Sequence, residues 1–215
     1  MTAKTVLCFG DSNTHGTMPM ASFGDKGRFP FESRWTSIMA GALGPGWHVL
    51  AEGHPGRTTA HDDPLEGAHK NAQRSLLALL ESHRPIDLIV IMLGTNDLKS
   101  RFQVTPTEIT LGVETLVQVV RASGCGPNKT APDLLVVAPP PLTDSGVLME
   151  FFQGGVEKSQ KFAQSFAAMG ERAGVAVWDA GSVCSMSQID GIHLDEEGHR
   201  ALGLALADQI RQLGH

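Results

Sequence analysis

A serine at the end of an apolar run is the first residue of this chain that could do chemistry. Residues 6–12 read Val-Leu-Cys-Phe-Gly-Asp-Ser, and four apolar residues followed by a turn sequence predict a buried parallel strand that breaks into a tight turn. The turn would leave the Ser12 hydroxyl at the C-terminal edge of a sheet, where open α/β folds place their ligand sites. A hydroxyl there can act as a nucleophile if a base and oxyanion donors reach it.

Gly53 and Asn96 are candidate oxyanion donors. They follow the second and third predicted strands, and the ends of parallel strands converge on one edge of the sheet. Gly53 has no Cβ to keep a ligand from its N–H, and Asn96 has a side-chain amide. With the N–H of Ser12 they predict an oxyanion hole of three donors. Asn96 could instead cap the segment that follows its strand, and Asp11 is expected to support the Ser12 turn.

Asp190 and His193 are the candidate orienting acid and base. They are three residues apart, between the fifth predicted strand and the last helix. A carboxylate bonded to Nδ1 fixes the imidazole tautomer and leaves Nε2 for Ser12. Asp179 is the alternative acid, and the pair could also be a surface turn. Because no His-x-His or His-Glu-x-x-His motif occurs, we predict no metal site, and we expect no cofactor.

Alternating strand and helix patterns must position these residues. The predicted strands are Thr5–Phe9, Trp47–Ala51, Leu88–Leu93, Leu134–Ala138 and Val175–Trp178. Helical spacing of apolar residues occurs in residues 72–83, in 109–120 behind a capping box of Thr105, Pro106 and Glu108, and from about Asp195 to Leu213. This alternation predicts an α/β fold in which helices cover both faces of a parallel sheet. No linker or repeat divides residues 1–215, so we predict a single domain.

Composition excludes several classes of partner. The 215 residues carry a net charge of -6 with dispersed Lys and Arg, so we expect no nucleic-acid partner and no membrane partner. No apolar stretch approaches the roughly 18 residues of a membrane span. We expect no signal peptide, and the three cysteines (Cys8, Cys125 and Cys184) predict reduced thiols in a cytoplasmic protein. A homo-oligomer is left open.

Four blocks of this sequence resemble those of the SGNH hydrolases, also called GDSL esterases and lipases. The blocks are Gly10-Asp11-Ser12, Gly53, Gly94-x-Asn96-Asp97 and Asp190-x-x-His193. Longer stretches are similar to the bacterial arylesterase/acyltransferase branch, namely residues 6–12, 34–36, 52–53, 57–59, 62–64, 91–97, 139–142 and 190–194.

The resemblance implies a three-layer α/β/α sandwich around a five-stranded parallel sheet, as in flavodoxin-like folds. It also implies roles: Ser12 as nucleophile, His193 as base, Asp190 as its orienting acid, and Ser12, Gly53 and Asn96 as oxyanion donors. The implied partner is a small-molecule ester, and the implied activity is hydrolysis of short-chain carboxylic esters, such as acetyl and aryl esters, through an acyl-enzyme. An acyltransferase with the same triad, and a binding module that has lost catalysis, are the alternatives.

Asn13, His15 and Thr17 stand where that branch often has leucine and tryptophans. We therefore predict that these three side chains bind substrate at a polar entrance. A polar entrance favours water over an apolar alcohol as acceptor, and it favours O-deacetylation of a carbohydrate or another polar acetate as the alternative activity. Two other site types are excluded, because the chain has neither the Gly-x-Ser-x-Gly of α/β-hydrolases nor the Gly-Lys-Ser/Thr of a P-loop.

Overall fold

Five parallel strands form one sheet in the computed structural model, which describes residues 3–214. The strands are β1 (Lys4–Gly10), β2 (Trp47–Gly53), β3 (Leu88–Met92), β4 (Asp133–Ala138) and β5 (Ala176–Asp179). Their order is β2-β1-β3-β4-β5, which is the flavodoxin-like order with its switch point between β1 and β3. The predicted fold class is confirmed.

The α-helices that connect the strands cover both faces of the sheet. They are α1 (Ser12–His15), α2 (Trp35–Leu43), α3 (Leu76–His83), α4 (Pro106–Ala122), α5 (Gly155–Ser159), α6 (Phe162–Ala173) and α7 (Glu196–Gln212). Val6 and Cys8 of β1 pack with α2 and α7, whereas Leu7 and Phe9 pack with α3 and α4. Helix α6 adds to the second face near β4. The three layers follow because successive strand residues point to opposite faces.

The helix boundaries follow local capping chemistry. The capping box predicted for α4 is present, since Thr105 Oγ1 accepts from the N–H of Glu108 at 3.2 Å and the Glu108 carboxylate accepts from the N–H of Thr105 at 2.7 Å. Asp195 caps α7 through the N–H of Gly198 at 2.8 Å. The predicted apolar stripe of α7 is wrong at Leu213, which lies beyond the helix and is 42% exposed.

The segment predicted as one helical pattern in residues 72–83 is divided. Residues 72–74 form a separate 3-10 turn, because the Asn71 side chain accepts from the N–H of Gln73 at 3.0 Å and caps that turn. Helix α3 begins only at Leu76.

None of the helices in residues 3–214 combines the length and the apolar character of a membrane span. The predicted domain of residues 1–215 includes residues 1, 2 and 215, which lie outside the described residues.

Candidate active site

Ser12 begins helix α1 directly after β1. Its turn is fixed by Asp11, whose Oδ1 accepts the N–H of Asn13 at 2.9 Å as the N-cap of the helix. The predicted supporting role of Asp11 is therefore confirmed. The helix ends after one turn at Gly16, which has a φ of 84°, a left-handed conformation that glycine adopts without strain. Ser12 lines the cavity at the C-terminal edge of the sheet.

Two glycines let α1 lie directly against the strand ends. A Cβ at Gly10 would come within 2.0 Å of Thr14 Oγ1, and a Cβ at Gly53 would come within 2.1 Å of the backbone nitrogen of His15. At Gly53 the contact is with backbone atoms, so a side chain there would require the backbone to move. Gly53 therefore has a packing role: it lets β2 approach the helix that carries Ser12.

Asp190 holds His193 through the imidazole Nδ1, at a distance of 2.6 Å from its Oδ2. The same carboxylate accepts three backbone N–H groups, those of Met20 at 2.8 Å, Ile192 at 3.1 Å and His193 at 3.0 Å. Burial alone would raise the pKa of Asp190, but the bonds from His193 and Met20 outweigh it and lower the pKa below its ordinary value. Since Nδ1 is engaged, Nε2 is the ring nitrogen left for a second partner.

Asp179, the alternative acid, has a different task. Its Oδ1 accepts the N–H of Gly181 at 2.9 Å and caps the turn at residues 180–182. His193 is bonded to Asp190 instead. The alternative assignment to Asp179 is therefore wrong.

Asn96 lines the same cavity as Ser12 and His193. Its side-chain Nδ2 lies 3.4 Å from Asp11 Oδ2, a long contact that leaves the amide able to donate to a ligand. It caps no helix, since the 3-10 turn of residues 95–98 has no side-chain cap.

The pKa of Asp11 is raised to about 6, mainly because the carboxyl is buried, although the charges of His193 and Arg57 act in the opposite direction.

The geometry argues against Gly53 as an oxyanion donor. The N–H of His54 donates to the carbonyl of Gly10 at 3.0 Å, and successive N–H groups of a strand point to opposite sides. The N–H of Gly53 therefore points away from β1 and Ser12. Gly56 lines the cavity instead, and within residues 3–214 its N–H makes no backbone hydrogen bond. Gly56 has a φ of 79° and lies in the turn formed by residues 54–57.

Of the three predicted substrate contacts, only Thr17 lines the cavity. The Asn13 side chain is 2% exposed and is bonded to the backbone of Ile192 and Leu194. His15 lies outside the cavity lining, with its Nδ1 at 3.1 Å from Thr17 Oγ1. The predicted substrate contacts at Asn13 and His15 are corrected, because neither side chain lines the cavity.

The cavity has a volume of about 380 Å³ and two unlike walls. The apolar wall consists of Met20, Leu148, Phe151, Phe152 and Ile192, and the charged wall consists of Glu66, Lys70, Lys99 and Arg101. No sequence pattern predicts either wall, since their residues come from loops with no strong periodicity; the Asp-Asp-Pro run at residues 62–64 is the one local signal.

The charged wall is held together by ion pairs. Lys99 Nζ lies 2.5 Å from Glu66 Oε1, and an Arg101 nitrogen lies 2.7 Å from the same oxygen. Behind them, buried Asp63 accepts from Arg101 at 2.5 Å and lies 3.6 Å from Lys99. Burial would raise the pKa of Asp63, but the Arg101 guanidinium and two backbone N–H groups lower it to about 2. These two cations and two carboxylates balance one another.

Two buried charged residues anchor the loop that carries this wall. The Arg57 guanidinium donates to the carbonyls of Gly10 at 2.7 Å and Glu52 at 2.5 Å. Asp97 accepts from the N–H of Thr59 at 3.0 Å and from its hydroxyl at 2.7 Å. The loop after β2 is thereby fixed to the ends of β1, β2 and β3, where Ser12 and Asn96 lie.

The matching family model is that of the GDSL-like lipase/acylhydrolase family, over residues 8–201. The chain belongs to this family. The membership confirms the predicted resemblance and the predicted class of enzyme, a carboxylic-ester hydrolase. A search of curated proteins gave no match.

Solved structures of this GDSL-family fold extend the likeness to the whole chain. The aryl esterase of M. smegmatis is 42% identical with a TM-score of 0.94, and the match covers 98% of this chain and 100% of that one. A carbohydrate acetylesterase from Sinorhizobium meliloti is 43% identical with a TM-score of 0.93, covering 98% of this chain and 99% of that one. The chain is therefore similar over its full length to two esterases with different named substrates.

Proposed function

We propose that this GDSL-family protein hydrolyses short-chain carboxylic esters through a triad of Ser12, His193 and Asp190. The observation that carries the proposal is the 2.6 Å bond between His193 Nδ1 and Asp190, in a cavity that Ser12 and His193 both line. The bond holds the imidazole in the tautomer whose Nε2 can accept the Ser12 proton. The low pKa of Asp190 keeps the carboxylate charged opposite the imidazolium that forms.

The reaction takes place in two steps. Ser12 Oγ attacks the ester carbonyl carbon while His193 takes its proton, and the tetrahedral intermediate collapses when His193 protonates the leaving alcohol. The acyl group is then bonded to Ser12 Oγ. Water attacks this acyl-enzyme and gives its proton to His193, and His193 then returns that proton to Ser12 Oγ as the acyl–oxygen bond breaks and the carboxylic acid is released. Attack by a second alcohol in place of water would be acyl transfer.

Three donors would stabilise the oxyanion of each intermediate. The N–H of Ser12 and the amide of Asn96 are two of them, as predicted from the sequence. Gly56 is the better-placed third donor, because it lines the cavity and its N–H makes no backbone hydrogen bond within the described part of the chain. Such donors act mainly on the transition state, in which the negative charge develops.

The size of the cavity supports a small substrate. A volume of about 380 Å³ is near the lower end of ligand sites, which span roughly 300–1,000 Å³. The apolar wall can cover an acetyl or aryl group, in keeping with the name of the M. smegmatis relative.

Three free thiols (Cys8, Cys125 and Cys184) support a role in the cytoplasm.

Turnover of p-nitrophenyl acetate tests the proposal. We expect Ser12→Ala to lower kcat by at least about 10³-fold, since only binding and the oxyanion donors remain. Ser22→Ala is the matched control, because Ser22 is exposed and bonded to Asp25 outside the cavity. A Ser12→Ala variant that keeps a tenth of the activity would exclude Ser12 as nucleophile. An inactive wild type would favour the binding module.

Deacetylation of a hydroxyl-rich ester is the second candidate, and the charged wall favours it. Glu66 Oε1 is bonded to Lys99 and Arg101, whereas its Oε2 accepts no hydrogen bond from residues 3–214 and lies against Gly56. A wall that offers both donors and acceptors suits hydroxyl groups, which both donate and accept. An apolar group packed against Glu66 Oε2 would leave that oxygen without a hydrogen bond. The Sinorhizobium meliloti relative is named a carbohydrate acetylesterase.

Two esters of similar length separate the candidates: glyceryl monoacetate, with two free hydroxyls, and propyl acetate, with none. The second candidate expects a higher kcat/KM for glyceryl monoacetate and loss of that preference in Glu66→Ala. Leu65→Ala is the matched control, since Leu65 lines the same cavity without a polar group. A wild type that prefers propyl acetate would rule the second candidate out and leave the first standing.

A further inference from the structure

The side chain of Asn13 is bonded to the backbone on both sides of His193. Its Nδ2 donates to the carbonyl of Ile192 at 3.0 Å, and its Oδ1 accepts the N–H of Leu194 at 2.9 Å. Each bond joins residues about 180 positions apart in the chain. Asn13 is 2% exposed, so water does not compete for either bond.

Only an amide in one orientation satisfies both partners. The carbonyl of Ile192 needs a donor and the N–H of Leu194 needs an acceptor, so the positions of Nδ2 and Oδ1 are fixed by the backbone that they meet. An aspartate would offer acceptors alone and a leucine neither group. A buried backbone group without a hydrogen-bond partner destabilises the fold, so the segment around His193 would shift to find a new partner.

This side chain connects the nucleophile to the base. Asn13 follows Ser12 in α1, and its two partners flank His193. The bonds from Asp190 fix the orientation of His193 within its own loop, and Met20 N–H donates to the same Oδ2 that His193 Nδ1 contacts. Among these contacts, those of Asn13 join the helix of Ser12 to the loop of His193.

We propose that Asn13 is a positioning residue that sets the separation between Ser12 Oγ and His193 Nε2. The inference rests on the proposed function, since it assigns these two atoms to proton transfer. Proton transfer needs hydrogen-bond contact, and a displacement of about 1 Å at a catalytic group can cost about 10²-fold in rate. Asn13 therefore acts through His193 and does not touch the substrate.

Kinetics of Asn13→Leu test this role. We expect kcat to fall by about 10–100-fold, with KM within about twofold, and Asn13→Asp to show a smaller loss because it keeps the acceptor for Leu194. Thr14→Val is the matched control: Thr14 is buried in the same helix, and its hydroxyl makes no hydrogen bond within the described chain, so kcat should hold. A raised KM with unchanged kcat would make Asn13 a substrate contact and overturn the proposal.

A second measurement separates positioning from general stability. Asn13→Leu in a His193→Ala background should lower the residual rate no further, because a residue that acts through His193 has nothing left to position. An equal loss in both backgrounds would overturn the proposal. So would a lower Tm with an unchanged kcat for the folded enzyme.

The proton NMR signal of His193 Nδ1–H provides a test that does not depend on turnover. In the bond to Asp190 this proton should resonate far downfield, and we expect it to move or broaden in Asn13→Leu but not in Thr14→Val. An unchanged signal would overturn the positioning role. If the wild type hydrolyses no ester while the signal responds as expected, the proposed function fails and the contact between Asn13 and the His193 segment stands.

Discussion

Asp190 and His193 form a buried pair in which a carboxylate oxygen lies 2.6 Å from the imidazole Nδ1. The side chains are 0% and 4% exposed, so the bond is protected from water. Asp190→Asn would present an amide N–H or a weaker acceptor to Nδ1 and favour the wrong tautomer. We expect kcat for p-nitrophenyl acetate to fall by about 10⁴-fold.

The matched control for that variant is Asp179→Asn. Asp179 caps a turn and does not contact His193, so kcat should stay close to that of the wild type. A loss of less than tenfold in Asp190→Asn would contradict the orienting role. Circular dichroism of both variants would show that the fold persists.

Asn96→Ala should lower kcat by roughly 10²–10³-fold, because one oriented donor contributes about 3–4 kcal/mol to the transition state. KM should change much less, since the charge that the amide meets develops during the reaction. Steady-state kinetics on a single acetate ester measure both constants. If KM rises and kcat holds, Asn96 binds the substrate and the oxyanion hole is formed by other groups.

Gly53→Ala and Gly56→Ala should fail in different ways. A Cβ at Gly53 meets the backbone of α1 at 2.1 Å, so we expect a lower Tm. A Cβ at Gly56 meets the end of the Glu66 side chain at 2.5 Å, which can move, but the φ of 79° disfavours alanine and would shift the turn. We expect a lower kcat with a largely retained Tm. A stable Gly53→Ala variant with a selective loss of kcat would restore Gly53 as the donor.

Asp11 should make the stability of the fold depend on pH. Its pKa rises from 3.8 to about 6 in the folded state, with burial as the main cause. Between these values the folded state binds more protons than the unfolded state, so this contribution to stability falls as pH rises. The stabilisation is fully present below pH 3.8 and is lost as pH passes about 6.

The comparison with Asp11→Asn isolates this effect, because asparagine caps a helix about as well as aspartate. Urea unfolding at about pH 3.5 and about pH 7 should show the wild type losing stability relative to the variant, by on the order of 3 kcal/mol. A constant difference between the two proteins would show that Asp11 has the same pKa folded and unfolded.

Acyl transfer should depend on Phe151 and not on His15. Phe151 lines the cavity, whereas His15 does not, and apolar contact contributes about 25 cal/mol per Å² buried. With vinyl acetate and benzyl alcohol in buffer, we expect Phe151→Ser to lower the share of benzyl acetate. His15→Trp should leave the product ratio unchanged. A changed ratio in His15→Trp would mean that the side chain at this position reaches the acceptor.

The sequence by itself determined the fold class and predicted that Ser12, Asn96 and His193 meet at one edge of the sheet, where all three line the cavity. The apolar run before Ser12 and the helical periodicities are local patterns that each favour one kind of element, although the Asn71 cap divides the segment predicted as one helix in residues 72–83. The bond between Asp190 and His193 spans three residues, so it could be predicted without knowing the path of the rest of the chain.

Only the tertiary structure decided which way the neighbouring groups face. Whether Asn13 meets a substrate or the backbone beside His193 depends on a contact about 180 residues away. The choice between Gly53 and Gly56 depends on how the loop after β2 is fixed to Gly10 by Arg57. The charged wall likewise joins residues 63–66 to residues 99–101 across two loops. Periodicity and spacing specify neither loop paths nor side-chain directions, because both are set by long-range packing.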